Sequence, residues 1–116
     1  MSATTNLYAG VPVTDLDASI DWYTRFFGRP PDMRAGDEIL WALDDHATLF
    51  IEPNAAHAGA GRITLGVTGP DALLERLAAH GIDHEPIETY SNGVRHTKVP
   101  DPDGNAIAFA DLPDAA

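Results

Sequence analysis

The stretch Asp101-Pro102-Asp103-Gly104-Asn105 has the composition of a tight turn between two β-strands. Proline fixes φ at the first corner of such a turn, aspartate suits the second, and glycine adopts a left-handed conformation without steric cost. The flanking residues alternate in polarity and predict strands over residues 94–99 and 106–111. We therefore expect a hairpin closed by a type I turn and a bulge, and a frayed tail over residues 111–116.

The composition limits the class of protein. The chain has 116 residues, 44% of them hydrophobic, which suits one domain over residues 1–116. It has no cysteine, which excludes disulfides and thiolate chemistry and fits a cytoplasmic location. We expect no signal peptide and no membrane span. The net charge of −11 argues against nucleic-acid and membrane partners, and it either favours a cationic ligand or only solubilises the surface.

Two successive parts of the chain predict the same order of elements, strand–helix–strand–strand–strand. An offset of 54 residues aligns Val13–Ala18 with Val67–Ala72, and four of the six positions are identical. The predicted elements are strands at 7–13, 38–43, 47–52, 62–67, 85–89, 94–99 and 106–111, a weak outer strand within 31–35, and helices at 16–27 and 70–80.

One such unit cannot bury both faces of its sheet, because its helix covers one face only. We therefore predict an α+β fold in which two βαβββ modules, residues 7–52 and 62–111, are joined by a linker over residues 53–61. The modules would form a curved mixed sheet around an open cleft. Small residues on the inner strands would leave that cleft hollow, which is typical of a ligand site; these are Gly10, Gly66, Ala106, Ala108 and Ala110.

These motifs resemble those of the vicinal oxygen chelate superfamily, which contains glyoxalase I, extradiol dioxygenases, and fosfomycin and bleomycin resistance proteins. The resemblance rests on residues 13–23 with Phe27-Gly28, and on Asp101–Asn105 leading into the last strand. It covers residues 7–111 and implies a glyoxalase-like fold. It does not identify a reaction, because this fold hosts several.

The resemblance also implies where a metal would bind. Metal-dependent members place one ligand, usually histidine or glutamate, on each of four inner strands. Those positions fall on Tyr8, Leu49, Arg62 and Ala108, and leucine, alanine and arginine are not metal ligands. We therefore predict no metal and no other cofactor. A shift of one residue in the fourth strand would bring Phe50 or Glu52 inward instead.

Six residues are predicted to contact a ligand, and no catalytic residue is identified: Tyr8, Trp41, Leu49, Arg62, His96 and Ala108. Trp41 can stack on a planar ligand or pack in the core. His96 precedes the hairpin in a strand and can face the cleft, whereas Arg62 either points inward or reaches solvent from a strand start.

The leading hypothesis is a metal-free small-molecule binding protein of the bleomycin-resistance type that sequesters a planar or cationic ligand. Members of that branch are commonly dimers with clefts at the subunit interface, so a homodimer is expected. The alternatives are a metal-independent enzyme that uses Tyr8, Arg62 or His96, an atypical metal-dependent lyase, isomerase or dioxygenase, and an interaction module without a pocket.

Overall fold

The strands of the computed structural model, which describes residues 3–111, form two four-stranded mixed sheets, each with one helix. The first sheet has the order β1-β4-β3-β2 and the second the order β5-β8-β7-β6. The elements are β1 (Leu7–Val13), α1 (Leu16–Phe27), β2 (Met33–Ala35), β3 (Glu38–Ala42), β4 (Ala47–Pro53), β5 (Arg62–Val67), α2 (Pro70–Ala79), β6 (Glu88–Thr89), β7 (Arg95–Pro100) and β8 (Ala106–Asp111). The predicted α+β class with two βαβββ units is confirmed, although the sheets remain separate.

The bounds of β1, α1, β5 and β8 agree with the prediction, and the other elements differ at their ends. The largest difference is β6, which has two residues where five were expected. Only Asp111 of the predicted tail lies within the described residues, and it is the last residue of β8. Within residues 3–111, neither helix has the length and apolar character that a membrane crossing needs.

The helices lie against one face of the sheets, and alternation in each strand decides which side chains meet them. In β1, Val11 and Val13 are fully buried in the core, whereas Tyr8 and Gly10 on the other side are exposed. The same core continues into the second sheet, where the ring of Phe109 stacks on Phe26 of α1 at 5.5 Å. We call the side of each sheet that faces away from the helices its open face.

The ends of the two helices are tied to each other by arginines. Arg25 of α1 donates to the carbonyl of His80 after α2 (2.9 Å), and Arg76 of α2 donates to the carbonyl of Phe26 in α1 (2.6 Å). A cation at a helix C-terminus also interacts favourably with the helix dipole. These contacts fix the position of one helix against the other.

The turn at residues 101–105 has the predicted geometry and also joins the two halves of the chain. Gly104 has φ 90°, and its N–H donates to the carbonyl of Asp101 at 2.9 Å. The fully buried Asn105 donates to the carbonyl of Pro12 at the end of β1 (2.8 Å). Asp101, itself buried, accepts from the hydroxyl of Tyr23 in α1 (2.8 Å) and from Asn105 (2.8 Å).

The Tyr23 hydroxyl makes stability depend on pH. Burial, and then the negative charge of Asp101, raise the pKa of Tyr23 well above its ordinary value of 10.0. A group whose pKa is higher in the folded state than in the unfolded state stabilises the fold fully when the pH is below its unfolded-state pKa. This stabilisation is lost as the pH rises above that value. We expect the free energy of unfolding to fall above about pH 10 by up to ~1.4 kcal/mol per pH unit through this group.

Chemical denaturation from pH 8.5 to 11, an interval chosen to bracket roughly the ordinary tyrosine pKa, tests this expectation. Tyr23→Phe should have a flatter profile than the wild type, and Tyr90→Phe, which alters an exposed tyrosine, should keep the wild-type slope. Parallel profiles for the wild type and Tyr23→Phe would contradict the assignment.

Candidate functional site

The open face of the second sheet carries a small hollow with cationic side chains. Arg62 of β5 and His96 and Lys98 of β7 line it, over a floor of Ala106 and Ala108 in β8. The register explains this arrangement, because Arg62 pairs with Ala106 and Lys98 with Ala108. Alanine is short, so the longer side chains of the flanking strands enclose a volume of about 50 Å³.

His96 is held between two neighbours at the outer side of this hollow. Its ring stacks on that of Tyr90, with centroids 5.6 Å apart and 25° between the planes. On the other strand, Glu88 of β6 pairs directly with His96 and places a carboxylate on the same face. The hollow thus has one cation on β5 and another on β7, and the charge becomes mixed toward β6.

The open face of the first sheet is aromatic. Phe50 of β4 pairs with Gly10 of β1, and its ring lies over the glycine. A side-chain carbon on Gly10 would come within 2.5 Å of the Phe50 ring, so this close approach requires glycine. Tyr8 lies on the same face of β1 and is 60% exposed. These two rings form an accessible surface for a flat molecule.

The facing predicted for Leu49 is wrong. The register pairs Gly10 with Phe50 and Thr64 with Ala108. Because Gly10 and Thr64 are 54 positions apart, Phe50 is the counterpart of Ala108, and the alignment of the two fourth strands was shifted by one residue. Alternation then directs Leu49 into the core, where it is fully buried.

Of the two possibilities for Trp41, ligand contact and core packing, the structure shows core packing. Trp41 pairs with Leu49 across β3 and β4 and shares its side of the sheet. It is fully buried, and its indole N–H donates to the carbonyl of Arg29 at 3.1 Å. A ligand on the open face cannot reach either residue, so both are left out of the candidate site.

The structure brings together three of the six predicted contact residues, Arg62, His96 and Ala108, around one hollow. Tyr8 lies on the other sheet and does not line it. The sequence analysis missed Lys98, although its signal was available: Lys98 is two residues from His96 in the same strand and must share its face. The ligand-binding role of these residues stays a prediction.

A larger cavity of about 560 Å³ is lined by residues of both helices and of both halves of the chain. Its walls include the exposed Leu7 and Leu43 from the first half and Leu65 and Leu73 from the second. We call it the seam cavity. It contains none of the six predicted contact residues, and its lining is mostly apolar.

Residues 6–109 match the family model of the glyoxalase/bleomycin resistance protein/dioxygenase superfamily. The chain belongs to this superfamily. Among solved structures, it is similar to a glyoxalase/bleomycin resistance protein from Catenulispora acidiphila, with 38% identity, a TM-score of 0.86, and coverage of 93% of this chain and 98% of that one. No curated protein matches the chain.

Solved structures with lower sequence identity share the fold. A bleomycin-binding protein from Streptomyces verticillus, solved with copper(II)-bleomycin, has 22% identity and a TM-score of 0.78, over 97% of this chain and 100% of that one. A lactoylglutathione lyase from Agrobacterium tumefaciens has 17% identity and a TM-score of 0.77, over 96% of both chains.

The residues at the metal-ligand positions of the superfamily do not fit a metal ion in this member. With the register corrected, the four positions are Tyr8, Phe50, Arg62 and Ala108. Two of these side chains are hydrocarbon, one is a cation, and a single phenol is not a metal site. Across residues 3–111, no three or more His, Cys, Asp and Glu side chains are grouped so that they could hold a metal.

Proposed function

We propose that this protein is a metal-free small-molecule binding protein that sequesters a planar ligand on the open faces of its sheets. The observation that carries the proposal is the replacement of the superfamily's metal ligands by Tyr8, Phe50, Arg62 and Ala108. These positions offer an aromatic surface, a cation and a small floor, which suit binding more than metal chemistry. An antibiotic is a natural candidate, since a bleomycin-binding protein shares the fold.

Within one chain, Tyr8 lies apart from Arg62 and His96, so a metal-independent enzyme that used all three groups would need a second protomer. A general acid or base must lie within hydrogen-bonding reach of its partner group. Arg62 and His96 line the hollow of the second sheet, whereas Tyr8 belongs to the first. A single chain therefore does not assemble these three groups around one reacting atom.

A homodimer is part of the proposal, because the open faces of a single chain are exposed. Tyr8 and Met33 on the first sheet are each 60% exposed. Placing the first sheet of one protomer against the second sheet of its partner would cover both exposed faces and enclose a ligand between them. Sedimentation equilibrium should give a dimer, and a monomer at all concentrations would contradict this part.

Bleomycin and a panel of planar aromatic antibiotics are suitable probes for a calorimetric and thermal-shift test. We expect saturable binding of one ligand per protomer, recovery of the ligand unchanged by mass spectrometry, and the same affinity after dialysis against a chelator. A ligand at 100 times its dissociation constant should stabilise the folded protein by about 2.7 kcal/mol. Product formation, or stoichiometric zinc, nickel, manganese or iron by elemental analysis, would contradict the proposal.

Phe50→Ala tests where the ligand lies. Loss of the ring should weaken binding of a planar ligand at least about fivefold, because an aromatic contact contributes about 1 kcal/mol beyond its buried area. Leu43→Ala is the control: it removes an apolar side chain from the seam cavity and should leave the affinity unchanged. A larger loss in Leu43→Ala than in Phe50→Ala, measured by titration calorimetry, would assign the ligand to the seam cavity instead.

A further inference from the structure

The cations that line the hollow differ from the other cations of the chain in having no partner. The sequence has seven lysine and arginine residues, all within the described residues 3–111. Five of them are arginines whose side chains bind a carboxylate or a backbone carbonyl: Arg25, Arg29, Arg34, Arg76 and Arg95. Within the same described range, Arg62 and Lys98 make no side-chain hydrogen bond or ion pair, and both line the same hollow.

This arrangement is unusual for a chain with 18 acidic residues and a net charge of −11. A cation that only served stability would be expected to contact a carboxylate or a backbone carbonyl, as the five arginines do; Arg95, for example, contacts Asp111 at 2.8 Å. Arg62 and Lys98 flank the hollow from the strands on either side of β8. Two unpaired cations repel each other, and an anion between them relieves that repulsion.

The size of the hollow limits what it can hold. A volume of about 50 Å³ is too small for a complete planar ligand, since such ligands occupy pockets of about 300 Å³ or more. It exceeds the ~10–15 Å³ that a cavity needs to hold one water molecule, so it has room for one carboxylate or phosphate group. Arginine and lysine are the side chains that most often bind such oxyanions.

We propose that the hollow between Arg62, Lys98 and His96 holds an oxyanion group of the ligand, a carboxylate or a phosphate, while the planar part extends over the open faces. This inference rests on the proposed function for the planar part of the ligand. It replaces the expectation of a cationic ligand, which was based on the net charge of the whole chain. Screening limits distant surface charges to a range of about 8 Å, so the residues lining the hollow outweigh the overall charge.

Three naphthalene probes with the same ring test the inference: naphthoate, naphthyl phosphate and the neutral naphthamide. Titrations followed by amide chemical shifts should show both anions binding at least about tenfold more tightly than naphthamide, as expected for charge-assisted hydrogen bonds. The shifts should be largest in β7 and β8. The ratio of the two anion affinities then identifies the preferred oxyanion.

Arg62→Met and Lys98→Met should each weaken binding of the two anions about tenfold and leave that of naphthamide unchanged. Arg34→Met is the matched control, because it removes a cation from β2, in the other sheet. It should change none of the affinities. Equal binding of naphthamide and naphthoate, or anion binding that survives both substitutions, would overturn the inference.

Inorganic phosphate separates this inference from the proposed function. At constant ionic strength, phosphate should raise the thermal midpoint of the wild type more than chloride does, and should lose this effect in the Arg62→Met/Lys98→Met double variant. Phosphate binding at the hollow without binding of any naphthalene probe would support the oxyanion site and contradict the planar-ligand proposal. Equal binding of all three probes, weakened by Phe50→Ala, would support the planar-ligand proposal and contradict the oxyanion site.

Discussion

Asn105→Ala is expected to lower the free energy of unfolding by about 3–5 kcal/mol, because it leaves several buried polar groups without partners. Its side-chain oxygen accepts from the N–H groups of Gly59 (3.0 Å) and Gly61 (2.7 Å). Its amide nitrogen donates to the Pro12 carbonyl and to the Asp101 carboxylate, both at 2.8 Å. One side chain therefore connects β1, the segment before β5 and the turn before β8.

Urea denaturation with two comparison variants tests the Asn105 prediction. Asn92→Ala removes an exposed asparagine that accepts one local hydrogen bond from Val94, and should cost no more than about 1 kcal/mol. Asn105→Asp has the same size but offers an oxygen to the Pro12 carbonyl and the Asp101 carboxylate, and it should destabilise the protein about as much as alanine does. A loss below about 1 kcal/mol in Asn105→Ala would mean that water replaces the four contacts.

The sequence was sufficient to predict the turn at residues 101–105, because its geometry is set by Pro102 and Gly104 themselves. The same holds for α1, where the Asp15 carboxylate accepts from the N–H of Ala18 at 3.1 Å and Gly28 ends the helix at φ 74°. The contacts that this turn makes were not predictable. Tyr23 and Asp101 are 78 residues apart, and only the three-dimensional fold brings them together.

Alternation within one strand predicted which side of the sheet a side chain faces, but comparison of one strand with its counterpart in the other half did not. Alternation correctly separated Val11 and Val13 from Tyr8 in β1. Comparing the two halves failed in β4, because the segments between the helix and the last strand differ in length by four residues, so the helices do not fix how the last strands align. The alignment used was off by one residue, and a single shift reverses every side chain. This one error placed Leu49 on the open face instead of Phe50.

The charge around the candidate site could not be predicted without the structure. The net charge of −11 describes the average surface and favoured a cationic ligand. Which cations lack a partner depends on contacts between distant segments, such as the bond from Arg95 to Asp111. In the described residues five arginines have such partners, whereas Arg62 and Lys98 have none.

Trp41→Ala is the other substitution with a large expected effect, about 3–5 kcal/mol of stability. The ring is fully buried and lies 5.5 Å from the ring of Phe27 and 5.9 Å from that of Tyr23. Truncation leaves a cavity in the core and removes the donor to the Arg29 carbonyl. Equilibrium denaturation followed by far-UV circular dichroism measures the loss.

Tyr8→Ala is the matched comparison, because both aromatic residues were predicted to contact the ligand. Tyr8 is 60% exposed, so its truncation should change stability by about 0.5 kcal/mol or less while weakening the binding of a planar ligand. Trp41→Phe, which preserves most of the core volume, should bind the ligand with wild-type affinity, because this side of the sheet does not meet the open face. If Trp41→Phe instead lost binding while keeping its stability, the ligand would have to reach the helix side of the first sheet, and the division between core and open face would be wrong.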